Sequence, residues 1–320
     1  MMIQDFSEFF HYGTIALSIC ATSLGVGIGE GIACRAALDA INIQPSSKNE
    51  ISRISIIGMA LIETAAIMGI TMAAILLLET RNSASAYSGI AELGIMCAIC
   101  ISGLVLGLVS AIPAQQAVLA IARQPFFSQK IFRFMIITQS IIQTPIIFGF
   151  IIAVLIKTQV SSVTGLADSI RLLASGLAIG LGAVGPAIGL ARFAGTACRG
   201  IGINPQAYTK LFSFTFISQA IIETPIIFAL IISILLITTT VQGDGIFQGI
   251  AMLSSALCIG FGTLGAGIAS GNTAAAACHQ IACNPEKYGS LSRVSLFAQG
   301  LIDTNAIYAL LIALLLIFFR

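Results

Sequence analysis

A carboxylate interrupts an otherwise apolar stretch at GMALIETAAI (58–67), where Glu63 lies between ISIIG and IMGITMAAILLL. At the centre of a membrane span an ionisable side chain costs about 2.5–3.5 kcal/mol on insertion scales, and residues held against that cost mark function. Glu223 and Asp303 stand at the same place in later copies of the surrounding pattern, and Gln143 stands there in a third. A carboxyl in low-dielectric surroundings resolves its charge by holding a proton or by binding a hard cation through several oxygens. A group that is neutral towards lipid and charged towards a polar path is a carrier, and Glu63, Glu223 and Asp303 fit that role. The competing reading is a carboxyl that only joins helices by hydrogen bonds.

Other polar residues cluster around this register. Thr64, Thr144, Thr224 and Thr304 follow the acid position in every copy, and either donate to it or bond back to their own helix carbonyls. Gln139, Gln219 and Gln299 stand one turn before it, and Tyr308 stands five residues after Asp303, within possible reach of its carboxyl. Glu30 lies 15 residues before Pro45 and Glu63 lies 18 after it, so both sit roughly 22–27 Å of helix from that turn. The same ruler pairs Ser110 with Gln143, Leu190 with Glu223, and Ser270 with Asp303. Pro145 and Pro225 follow the site by two residues and are expected to kink their helices.

The elements that must position these groups are membrane helices. The 320 residues are 57% hydrophobic and 9% charged, against about 25% charged in an average soluble domain. Apolar stretches long enough to cross a bilayer recur, and none shows the alternation of a β-barrel strand. Pro45, Pro125, Pro205 and Pro285 end four polar turns eighty residues apart, so the chain is four tandem copies of helix, turn, helix. The expected units are hairpin 1 (1–80), hairpin 2 (81–160), hairpin 3 (161–240) and hairpin 4 (241–320). The fold class is all-α, with eight transmembrane helices. First helices are rich in Gly, which lets backbones approach closely in lipid. Second helices carry Ile, Leu and Phe. First helices inside and second helices outside would give two concentric layers of a ring.

Eleven of the 15 Lys and Arg lie in or near the turns, and only Arg81, Lys157, Arg171 and Arg320 lie in connectors and termini. The positive-inside rule then places the turns in the cytoplasm and both termini outside. His11 and His279 read as isolated interfacial residues, and Glu92 as interfacial too. Cys97 and Cys100 have CxxC spacing but no second pair or nearby His, so they read as small apolar helix residues. A net charge of +2 gives no reason to expect nucleic acid. The acidic start MMIQDFSEFFHYG lacks the basic region of a signal peptide.

Three motifs together resemble the c-type proteolipid of rotary ATP synthases, found in the F-type enzyme and in its V-type relative. They are the Gly-rich run GVGIGEGIACRAALDAINIQP (25–45), the turn Arg123-Gln124-Pro125, and the segment Gln219-Ala220-Ile221-Ile222-Glu223-Thr224. The resemblance covers nearly the whole chain as four fused hairpins. It implies a non-catalytic ion-translocating rotor subunit in a c-ring within membrane lipid, built from copies of this chain or mixed with related c-type proteolipids. The ring would turn against the stator a-subunit and carry H+ or Na+ on Glu63, Glu223 and Asp303. Supporting residues would be Glu30, Thr64, Thr224, Thr304, Ser270, Gln219, Gln299 and Tyr308. It implies that Arg123, Gln124 and Pro125 meet the central-stalk subunits, and that the membrane is a prokaryotic inner membrane. No cofactor is expected. A Na+ site at Glu30, Glu63 and Thr64 is one option. Leu190, where sodium-type members have a Gln, removes an oxygen and tilts the reading to protons.

The chain also departs from that pattern. It has four hairpins rather than one, and Gln143 cannot take up and release a proton, so hairpin 2 is a lost site. Fewer ions per turn bias such a ring toward pumping, since each ion carries about 2.3 kcal/mol per 100 mV. The rival readings are a secondary transporter, which would show inverted repeats and broken helices, and a non-conducting structural proteolipid. No nucleophile, base and oxyanion set suggests an enzyme.

Overall fold

The computed structural model describes residues 2–78, 87–240 and 246–318. Arg81, Arg320 and the expected unit boundaries at 80/81 and 240/241 lie outside them. Helices α1 (Met2–Ile43), α2 (Lys48–Ile62) and α3 (Thr64–Leu77) form hairpin 1. Helices α4 (Ser88–Val109), α5 (Ala111–Arg123), α6 (Ser128–Ile142) and α7 (Thr144–Val160) form hairpin 2. Hairpin 3 is α8 (Leu166–Ile203) and α9 (Tyr208–Thr238), and hairpin 4 is α10 (Ile246–Cys283) and α11 (Tyr288–Phe318). Eight helical spans in the described residues are long and apolar enough to cross a membrane. The all-α architecture of four tandem hairpins is therefore as expected.

Each turn is made in the same way. The residue before proline is forced out of the helical region, as Gln44 shows with φ −133° and ψ 76°. Proline then opens a single 3-10 turn (Pro45–Ser47, Pro125–Phe127, Pro205–Ala207, Pro285–Lys287), and the next helix starts at once. Charged side chains tie neighbouring turns together. Arg53 lies over the Phe132 ring at 5.0 Å, Lys130 lies over Phe127 and Tyr208, and Lys210 Nζ donates to Pro285 O at 2.9 Å.

The first helices pack side by side in chain order: α1 on α4 and α5, these on α8, and α8 on α10. The second helices form another row, each seated on its own first helix, and those of hairpins 1 to 3 also on the first helix of the next hairpin. In lipid the usual apolar driving force between helices is missing, so close packing must hold the row. Glycine makes this possible. A Cβ at Gly25 would strike the carbonyl oxygen of Leu104, one at Gly29 that of Gly107, and one at Gly189 that of Gly267. The second helices fill the space behind with large side chains, among them buried Phe134 and Phe214, the latter edge-on to Phe193 at 5.8 Å.

Two expectations need correction. His11 and Glu92 are not isolated. They are 5% and 3% exposed and share a 3.0 Å bond from His11 Nδ1 to Glu92 Oε2, joining hairpins 1 and 2. The Ser7 and Ser88 hydroxyls pair beside them at 2.9 Å. Arg171, counted above as a connector charge, is buried. Its Nη1 donates to the carbonyls of Leu236 and Ile237 at the end of α9, and its Nε pairs with Asp168 at 3.3 Å. The last carbonyls of a helix lack internal partners, and a guanidinium is suited to fill them.

Candidate functional site

Glu63, Gln143, Glu223 and Asp303 occupy one register on the four second helices, but their surroundings differ. Glu63 is exposed on hairpin 1, and Glu223 is half-buried. Asp303 is 8% exposed and its Oδ1 has no hydrogen-bond partner. Glu30 is half-buried on the first helix of hairpin 1, within electrostatic reach of Glu63, so the chain places two carboxylates at one level there. At the matching level of hairpin 4, Ser270 is fully buried and its hydroxyl has no partner.

The backbone changes at this register. Helix α2 ends at Ile62 and α3 begins at Thr64, with Glu63 at φ −62° and ψ −20° between them. A similar break falls at Gln143, where Pro145 cannot donate to Ile141 O and the Thr144 hydroxyl takes that carbonyl instead at 2.9 Å. The expected kink at Pro225 has no such counterpart, since α9 runs unbroken through it. At Glu63 there is no proline, and helical bonds continue on both sides, Glu63 N donating to Met59 O at 3.0 Å and Ile67 N to Glu63 O at 3.1 Å.

The threonines mostly bond back to their own helix. Thr304 donates to Leu301 O at 2.7 Å and Thr224 to Ala220 O at 3.1 Å. Thr64 does this and more: its Oγ1 is 2.8 Å from Leu61 O and 2.6 Å from Gln143 Oε1 on the next hairpin. Tyr308 does not reach Asp303, and its side chain is 64% exposed.

The glutamines one turn earlier form a ladder that the sequence did not reveal. Gln139 Nε2 donates to Gly58 O at 3.0 Å and Ser110 O at 3.1 Å, Gln219 Nε2 to Thr138 O at 3.3 Å, and Gln299 Nε2 to Ser218 Oγ at 3.3 Å. Each rung reaches back to the preceding second helix across 81 residues. All three glutamines are fully buried, and each Oε1 is left without a donor. The signal was the identical position of the three glutamines in the repeat; their partners depended on how the hairpins pack.

At the turns, Arg123 is exposed and Gln124 and Pro125 are half-exposed, beside a fully exposed Phe126. Among the described residues no three His, Cys, Asp or Glu come together as a metal-binding group.

Apolar hairpins in tandem, with carboxyls at one mid-span register and glycine-backed first helices, define a membrane proteolipid that handles ions. Comparison with known proteins gives the family. The family model for the ATP synthase C subunit matches four times, at residues 14–76, 93–156, 173–236 and 253–316, and the chain belongs to that family. An ATP synthase c subunit of Dehalococcoides mccartyi is 49% identical over 71 residues, 22% of this chain and 93% of that protein. An A-type ATP synthase K subunit of Methanocaldococcus jannaschii is 32% identical over 181 residues, 57% of this chain and 76% of that protein. An ATP synthase c subunit of Chloroflexus aurantiacus is 36% identical over 81 residues, 25% of this chain and 99% of that protein. The chain is thus a fused, non-catalytic, ion-translocating proteolipid of a rotary ATPase with four hairpins, and its membership implies assembly into a c-ring.

Proposed function

We propose that the chain carries H+, or Na+ in the alternative, on Glu63, Glu223 and Asp303, and that hairpin 2 carries none because Gln143 cannot ionise. The observation that carries this reading is Asp303, a carboxyl buried at mid-span with an oxygen that nothing satisfies. An unpaired buried acceptor costs about 1–3 kcal/mol, so the group is poised to gain a proton or a cation rather than to brace the fold. The Oε1 atoms of Gln219 and Gln299, one turn before the acid position, have no donor and can accept a hydrogen bond from a protonated carboxyl or help hold a desolvated cation.

In this reading each carboxyl takes an ion from one half-channel of the stator a-subunit, passes through lipid, and releases it to the other. Arg123, Gln124 and Pro125 meet the central stalk. The turns face the cytoplasm, the termini face outward, and the membrane is a prokaryotic inner membrane. A ring with three carriers in every four hairpins moves fewer ions per ATP, which favours building a steep gradient by hydrolysis.

The test is labelling of isolated membranes with a hydrophobic carbodiimide, mapped by mass spectrometry with and without sodium and across pH. Labelling at Glu63, Glu223 and Asp303 that sodium suppresses identifies a sodium carrier. Labelling that follows pH alone identifies a proton carrier. No labelling at any of the three overturns the carrier reading.

A further inference from the structure

The two ends of the helix row are open, and they are complementary. On α1 the residues Gly27, Gly31, Cys34, Leu38 and Asn42 form one helical stripe, spaced four, three, four and four apart, and all five are exposed. Their counterparts eighty, 160 and 240 residues on are buried in every other copy, because each of those hairpins has a predecessor to cover them. Gly107 and Gly267, for example, abut Val26 and Pro186 of the preceding hairpin, whereas Gly27 faces open space. On α10 the opposite stripe has Gly265, Ala269, Ala276 and Gln280 exposed and Thr273 half-buried, while its counterparts on α1 (Gly25, Gly29, Ala33, Ala36 and Ala40) are all buried by hairpin 2.

The residues at these two ends depart from the repeat in a matched way. At internal junctions the small residue five before one proline meets the small residue three before the next: a Cβ at Gly202 would strike Ala120, and one at Gly200 would press on Ala282. At the ends both positions change together, to Gln280 on hairpin 4 and Asn42 on hairpin 1. The bulk of the neighbouring side chains changes too. Two of these positions are Ala33 and Ile54 in hairpin 1, Pro113 and Phe134 in hairpin 2, Phe193 and Phe214 in hairpin 3, and Thr273 and Val294 in hairpin 4, where they line a groove of about 510 Å³ together with Gln280. Opposite, the position held by Val118, Cys198 and Cys278 becomes Leu38, 63% exposed on hairpin 1.

We propose that the groove on hairpin 4 receives hairpin 1 of a second copy of this chain, with the Gln280 and Asn42 amides bonded to each other across the junction and Leu38 filling the groove beside Thr273 and Val294. This rests on the c-ring reading and goes further by naming the neighbour: the ring is built head to tail from whole copies, with no shorter proteolipid between them. The junction also completes an ion site. Inside the chain Thr64 donates to Gln143 of the following hairpin. Thr144 and Thr224 turn back to Ile141 O and Ala220 O, so this contact is made at one internal junction. Among the described residues no hairpin follows hairpin 4, and the same contact there would give Thr304 the Glu63 of a second copy. That accounts for Glu63 being the acid exposed in the lone chain. Gln139, Gln219 and Gln299 brace the internal junctions, but the equivalent position in hairpin 1 is Met59. The amide pair therefore replaces a missing rung.

The test is native mass spectrometry of rings purified from membranes in which all other c-type proteolipids are also expressed, followed by thermal dissociation of wild type, Asn42→Asp, Gln280→Lys and the double variant. Ring masses that are whole multiples of the 33.3 kDa chain are expected. Each single substitution should raise the dissociated fraction by about five- to thirtyfold, and the double variant should recover through its new ion pair. Gly300→Leu, on the outer helix with open space around it, should leave the ring intact. Singles without effect, or a double variant no better than either single, overturn the junction. Rings containing a shorter proteolipid between copies overturn it as well while leaving the rotor role standing. A wild type that forms no ring at all overturns both.

Discussion

Hairpins 2 and 4 place different groups at one register. In hairpin 2 the group is an amide, and its Oε1 receives the Thr64 hydroxyl at 2.6 Å from the hairpin before it. The Nε2 end finds no acceptor, but the oxygen ties two hairpins together. In hairpin 4 the group is a carboxyl, nearly as buried, and its Oδ1 receives nothing. The preceding threonine, Thr224, is turned back to Ala220 O instead of crossing the junction. The amide oxygen has been absorbed into the packing as a structural tie. The carboxyl makes no such tie, which a fold selected for stability alone would not retain. Two groups at one depth, the carboxyl a methylene shorter than the amide, thus do different work, and of the two only the carboxyl can ionise.

That contrast can be broken or sharpened by substitution. Glu223→Gln would place two non-ionising hairpins in succession, and ATP-driven ion transport in reconstituted vesicles should fall about tenfold or more, equivalent to ~1.4 kcal/mol or more of added barrier. Transport at the wild-type rate would show that Glu223 is not a carrier. Asp303→Leu removes the unsatisfied oxygen and should raise thermal stability by about 1–3 kcal/mol while abolishing carbodiimide labelling at that position. A destabilised variant would mean that Asp303 braces the fold after all. Thr64→Val deletes the tie to Gln143 and should cost only about 0.6 kcal/mol in stability, the typical value for a hydrogen bond between membrane helices. Its transport should fall no further than that small stability loss accounts for, and a larger defect would show that Thr64 serves the adjacent Glu63 rather than only the tie to Gln143.

Much of this was legible in the sequence, for reasons that are local. Four prolines eighty residues apart, and apolar runs bounded by them, define the hairpins because proline and bilayer thickness act on the chain itself. Glu63, Glu223 and Asp303 stood out because a charge in such a run is costly wherever the helix goes. What was not legible depends on how hairpins pack. The His11–Glu92 bond joins residues 81 apart, one position off the repeat, and each looked solitary in its own segment. The glutamine ladder has the same offset. Tyr308 is largely exposed and does not partner the Asp303 Oδ1 atom, although its spacing allowed a contact. The two open faces could not be told from covered ones by composition, since Gly27 and Gly107 are the same residue in the same pattern and differ only in having a neighbour.

The most direct test of the central claim is the ion-to-ATP ratio of the reconstituted complex carrying Gln143→Glu. If three of four hairpins carry ions in the wild type, restoring a carboxyl at position 143 should raise the ratio in the proportion four to three, with a fourth carbodiimide-labelled site on each chain. An unchanged ratio, with the new carboxyl folded in and unlabelled, would contradict the account, because hairpin 2 would then be excluded from the ion path by something other than its missing acid.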